Sequence, residues 1–234
     1  MTIHATKPSL YNQTVGEIAA MRPGAAAIFR KLNINFCCHG DVTLDIAAKD
    51  QGLDVSFVEQ ALCALDVEDL PASTKLSSGE LTEYIQSRYH ETHRREIPEL
   101  IMLSRKVEAV HKDHPDAPAG VALLLRAIEG ELEVHMKKEE LILFPAMRWT
   151  DTTLDAPISQ MRHDHNDQGV FLERLKELTD NFNLPKEACR SWQALYIGLV
   201  KLTNDLVEHI HLENNVLFPR FETGRYKGIS GAGL

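Results

Sequence analysis

A histidine and a glutamate four residues apart occur twice in this chain, each time ahead of Leu-Phe-Pro. His135 and Glu139 precede Leu143-Phe144-Pro145, and His209 and Glu213 precede Leu217-Phe218-Pro219. Every member of the second copy stands 74 residues after its counterpart. Positions i and i+4 of a helix share one face. Each copy therefore aims an imidazole and a carboxylate at one place, and two facing copies begin a two-metal site. A single such pair is ordinarily a solvated surface pair, but a solvated face has no reason to recur at one offset.

Two further histidines extend the repeat. His90 precedes His135 by 45 residues, and His165 precedes His209 by 44. The midpoints fall in 111–120 and 183–188, where Pro accompanies Asn, Asp or Gly, the composition of a turn. If each half is an antiparallel helical hairpin, ligands equidistant from its turn sit at one height. His90, His135, Glu139, His165, His209 and Glu213 then meet at one level of a four-helix bundle.

Four imidazoles with two carboxylates, each able to bridge, suit iron or manganese. Structural zinc favours four ligands and often thiolates, and calcium favours oxygen alone. Iron is the expected metal, as a non-haem pair bridged by the carboxylates and an oxygen, with room for a small diatomic ligand. Glu131 and Asp205 each lie four residues before a ligand histidine. They stand equally as supports for an imidazole and as ordinary surface acids. His111 is 21 residues from His90, roughly 30 Å along a helix, and belongs to the turn. His93 has no counterpart in the second half, where position 168 is Gln, and His163 and His211 are displaced from the ligand face. These three read as surface or supporting residues.

The elements needed to position these groups follow from periodicity. From residue 79 the chain reads as helices over about 79–112 (with Pro98 at a kink), 119–148, 156–181 and 186–222, carrying buried stripes such as Leu195, Leu199, Leu202 and Leu206. Residues 8–65 read as a small helical domain of four short helices, 15–21, 23–32, 43–49 and 56–65. Pro23 suits a helix start, and Thr43 and Ser56 suit caps. Residues 66–78 form a polar linker, and the glycine-rich end 223–234 is expected to be disordered. The fold class is all-α.

A formal net charge of −9 argues against a nucleic-acid or anionic membrane surface. The first residues lack the apolar core of a signal peptide, and no apolar run is longer than that at 121–125, which is too short to span a bilayer. Four cysteines, two adjacent, make a poor disulfide framework, so a soluble cytoplasmic protein with reduced thiols is expected. Cys63 and Cys189 read as small apolar core residues. Cys37 and Cys38 lie in a loop beside His39, an imidazole that favours thiolate. They are candidate transfer thiols, balanced against simple burial.

The C-terminal residues resemble the hemerythrin-like di-iron bundle. Arg88-Tyr-His90 and the two His-x-x-x-Glu blocks, together with Phe36-Cys37-Cys38-His39-Gly40, resemble the repair-of-iron-centres (ScdA-type) family over residues 10 to 222. Position 39 departs from that family, where glycine can follow the cysteine pair. The resemblance implies a hemerythrin-like up-down bundle and the same six iron ligands. It also implies a cytoplasmic di-iron protein that repairs iron–sulfur clusters damaged by nitric oxide or oxidants, with damaged iron–sulfur proteins or cluster scaffolds as partners. Two alternatives stay open: an enzyme, a di-iron nitric oxide reductase forming nitrous oxide, and an oxygen or nitric oxide sensor. The cysteine-bearing domain favours repair, because gas binding needs only the bundle.

Overall fold

The computed structural model describes residues 9–65, 72–149 and 153–223. Residues 66–71 of the expected linker and the tail from 224 lie outside the described residues. Among those described, all regular elements are helical, with one isolated bridge between Thr14 and Thr43.

The first unit holds α1 (Val15–Met21), α2 (Ala25–Lys31), α3 (Leu44–Asp50), α4 (Val55–Cys63) and α5 (Ala72–Lys75). Helix α1 begins at a capping box: Thr14 Oγ1 accepts from the Glu17 amide and Glu17 Oε2 accepts from the Thr14 amide. Helix α2 starts later than Pro23, because Gly24 stands at its N-cap with φ 87°. Helix α4 is capped by Asp54 and not Ser56. Asp54 Oδ1 accepts from the Ser56 amide at 2.9 Å, so Ser56 is already inside the first turn. Leu10, Ile18, Phe29, Phe36, Leu44 and Leu62 are fully buried and form the unit's interior. Helix α5 falls within the stretch expected as linker.

The second unit is built from α6 (Ser78–Ile85), α7 (Glu91–Val110), α8 (Val121–Lys138), α9 (Phe144–Trp149), α10 (Asp155–Leu178) and α11 (Arg190–His211). A second capping box, Ser77 with Glu80, starts α6. Pro98 lies inside the continuous α7. Side chains of α7, α8, α10 and α11 share one core containing Ile101, Leu125, Ile128, Leu175, Trp192, Leu195 and Leu199. Turns expected at 111–120 and 183–188 lie beside Gly120 (φ 95°) and beside Asp180–Phe182, three successive residues of positive φ. Thr179 Oγ1 supports the latter by accepting from the Phe182 amide.

Contacts divide the chain differently from the expected linear boundaries. Residues up to Leu76 group with His211–Pro219, while Ser77–Ile210 groups with the residues from Arg220. The reason lies in two asparagines: Asn214 and Asn215 donate to main-chain carbonyls at Cys37 and Phe36.

Candidate metal centre

Three wide helical turns interrupt the long helices, at Gln86–His90, Glu139–Leu143 and Leu212–Leu217. They carry His90, Glu139 and Glu213. In two of them the glutamate's own carbonyl accepts a bond from the phenylalanine five residues on: Phe144 N–H to Glu139 O, and Phe218 N–H to Glu213 O. The next residue in each case is Pro145 or Pro219. A proline ring clashes with the carbonyl four residues back in a regular α-helix, and an extra residue in the turn relieves that clash. The Leu-Phe-Pro half of the motif thus shapes the backbone that holds the carboxylate.

The structure brings the six repeated residues together as two buried groups. His90, Glu139, His209 and Glu213 form one, and His135, Glu139, His165 and Glu213 form the other. In each, the candidate ligand atoms lie within 4.8 Å of one another. None of the six is more than 2% exposed. The Nε2 atoms of His90 and His209 are 3.1 Å apart, as are those of His135 and His165. Two nitrogens bound to one metal at about 2.1 Å and at right angles lie about 3.0 Å apart. Glu139 reaches both groups, with Oε2 3.5 Å from His90 Nε2 and Oε1 3.3 Å from His135 Nε2. Among the described residues, neither Glu139 oxygen accepts a hydrogen bond. A buried carboxylate in that condition costs several kcal/mol unless a cation balances it. The donor set and this orphaned carboxylate fit a metal ion, with Glu139 and Glu213 common to both positions.

The distal nitrogens of His90 and His135 are held by carboxylates that the sequence did not single out. His90 Nδ1 lies 2.8 Å from Glu140 Oε1, and Arg94 grips both oxygens of Glu140 at 2.8 and 3.0 Å. His135 Nδ1 lies 3.4 Å from Asp164 Oδ2, which also accepts from Lys138 at 2.9 Å. Burial pushes the Glu140 carboxyl up, but bonds from Arg94 and His90 outweigh it and hold it below the usual range. The His135 contact holds Asp164 well below that range, against burial, with Lys138 and Gln160 adding to the effect. Ionised acceptors keep the proton on Nδ1 and leave Nε2 free to ligate. The acids expected in this role are placed elsewhere. Glu131 is exposed on α8, and Asp205 pairs with Arg88 at 2.7 Å and Lys201 at 2.8 Å. An acid one turn back on the ligand's own helix lies along that helix, whereas the distal nitrogen faces a neighbouring element.

Aromatic rings fix the imidazole planes. Tyr89 stacks on His209 with centroids 5.5 Å apart, and Phe144 stacks on His90 at 5.8 Å. His93 is buried, 5.5 Å from the His209 ring, and its Nε2 has no hydrogen-bond partner among the described residues. Burial first, then the neighbouring His209 and His90, push His93 well below the ordinary histidine range and keep it neutral. His163 is exposed beside Asp167, and His111 lies at the end of α7 with Nε2 3.2 Å from Cys189 Sγ. Cys189 is exposed and Cys63 half-buried, so neither is a core residue as expected, because each lies at a helix margin.

In the first unit, Cys37 is buried and Cys38 half-buried, with the sulfurs 3.7 Å apart. His39 Nδ1 lies against Asn35 Nδ2 at 3.0 Å. The hydrogen bond with Cys37, then burial, push the Cys38 thiol up, the reverse of the expected promotion of thiolate by His39.

The family model for the hemerythrin HHE cation binding domain matches residues 83–221. The chain belongs to the hemerythrin HHE family. A second model, the ScdA_N domain, described as a domain of unknown function, matches residues 11–66. Relatives span both regions. The iron-sulfur cluster repair protein YtfE of Musicola paradisiaca is 45% identical over 213 residues, covering 89% of this chain and 95% of the relative. That of Dickeya chrysanthemi is 44% identical, covering 89% of this chain and 96% of the relative. A probable iron-sulfur cluster repair protein of Haemophilus influenzae is 41% identical, covering 91% and 97%. Among the described residues no helix is long and apolar enough to cross a membrane.

Proposed function

We propose that this hemerythrin HHE protein is a cytoplasmic di-iron protein that repairs iron–sulfur clusters damaged by nitrosative or oxidative stress. It supplies iron to them, removes nitric oxide from them, or does both. One observation carries the metal part: two buried His2Glu2 groups share Glu139 and Glu213, and Glu139 has no hydrogen-bond donor among the described residues. Relatives that align over nearly their whole length and bear the name iron-sulfur cluster repair protein support the repair part.

In this reading His90 and His209 would hold one iron and His135 and His165 the other, with Glu139 and Glu213 within reach of both. Iron here would supply a change of redox state and affinity for a small diatomic ligand. The protein's own residues do the rest. Glu140 and Asp164 keep the protons of His90 and His135 on Nδ1, and the surrounding apolar side chains exclude water. Cys37 and Cys38 serve as transfer thiols, and the adjacent sulfurs support that role.

The test is reactivation of a nitric-oxide-damaged iron–sulfur enzyme by the purified protein, iron-loaded and metal-free. Reactivation by the loaded form with two irons per chain is expected. No reactivation by either form, or one metal ion per chain after anaerobic loading, overturns the reading.

A further inference from the structure

The metal centre makes no use of the two residues that follow Glu213. Asn214 Nδ2 donates to the carbonyl of Cys37 at 2.8 Å, and Asn215 Nδ2 to the carbonyl of Phe36 at 2.9 Å. The same Asn215 nitrogen lies 2.9 Å from His211 Nδ1. The His211 ring is buried and stands edge-on to Phe36, 5.2 Å between centroids. Asn215 Oδ1 occupies a slot between two glycines. A Cβ at Gly16 or at Gly40 would come within 2.4 or 2.3 Å of it. The Cys38 amide is held by Asn35 Oδ1 at 3.1 Å. The main chain on both sides of the first thiol is therefore fastened, in part by consecutive residues of the wide turn that carries Glu213.

We infer that Asn214 and Asn215 are positioning residues that tie the reactivity of Cys37 and Cys38 to metal occupancy at Glu213. The inference rests on Glu213 being a metal ligand. A turn with one extra residue is a minor register of a helix, and it persists where its surroundings hold it. A cation on the Glu213 carboxylate anchors that register. Without the cation the turn gains freedom, the two asparagines move with it, and the loop loses two hydrogen bonds. The thiols then open to solvent more often.

The experiment labels the full-length protein with dithiobisnitrobenzoate, loaded anaerobically with ferrous iron or metal-free, and reads each cysteine by mass spectrometry. Cys37 and Cys38 should react about tenfold faster in the metal-free form, with Cys63 and Cys189 unchanged. In the double variant Asn214→Ala, Asn215→Ala the two thiols should react fast in both forms while iron content is kept. That outcome also separates coupling from direct shielding of sulfur by iron. Equal rates in loaded and metal-free wild type overturn the inference without any variant. A metal-dependent difference that survives in the double variant does so too. Full iron content in Glu213→Gln would instead overturn the ligand reading, a separate failure seen in the metal analysis.

Discussion

The metal centre and the cysteine loop solve opposite problems. In the bundle, a buried carboxylate is left with no hydrogen-bond donor among the described residues. In the loop, side-chain amides pair with the main chain at Phe36, Cys37 and Cys38. The first arrangement is incomplete without a cation. The second has its main-chain groups paired by the protein's own side chains, and the hydrogen bond with Cys37, then burial, push the Cys38 thiol up. Holding a metal and presenting a thiol place different demands on the same chain: one leaves a carboxylate without a donor, the other fastens the backbone around the sulfurs.

This contrast breaks most decisively at the histidines. His135→Ala or His209→Ala should remove most of the bound metal, whereas His111→Ala should leave it intact, by elemental analysis after anaerobic loading. Equal loss from His111→Ala would show that the cluster is not the site. Next, Cys37→Ala with Cys38→Ala should keep the iron content and optical spectrum while lowering cluster-repair activity. A fall in iron content would mean that the thiols belong to the metal site.

Two smaller effects sharpen the comparison. Gly40→Ala places a Cβ against Asn215 Oδ1 and the Phe36 carbonyl. It should destabilise the N-terminal unit by about 1–3 kcal/mol in denaturant unfolding, and an unchanged midpoint would show that the slot is not tight. Glu140→Gln should weaken metal binding about tenfold by removing the ionised acceptor behind His90. Glu131→Gln should leave the affinity unchanged, and a competition assay that ranks the two in the opposite order refutes the support assigned to Glu140.

The six clustered residues were legible because a duplicated spacing carries information that no single pair does. Period and turn composition then placed four helices with these residues at one height. The supporting acids were not legible. Asp164 sits one residue before His165 yet serves His135, across helices, and Glu140 adjoins Glu139 but turns to His90. Such pairings depend on the rotation of each helix about its axis, which sequence spacing does not fix. The wide turns left a trace in Pro145 and Pro219, whose rings disfavour a regular turn behind them. The grouping of 211–219 with the first unit left none, because an asparagine donating to a carbonyl chooses no particular partner residue type.

The wide turns also decide where this chain can change length. Each carries one residue more than a regular turn, and the glutamate's carbonyl is matched to an amide five positions on. Deleting a residue between Glu139 and Phe144, or between Glu213 and Phe218, would remove that match. It would also swing everything beyond it by about a hundred degrees around the helix axis. The turns at 111–120 and 180–188 carry no such coupling. Insertions and deletions are therefore free to accumulate at the ends of the hairpins, and excluded from the five-residue steps between ligand and proline.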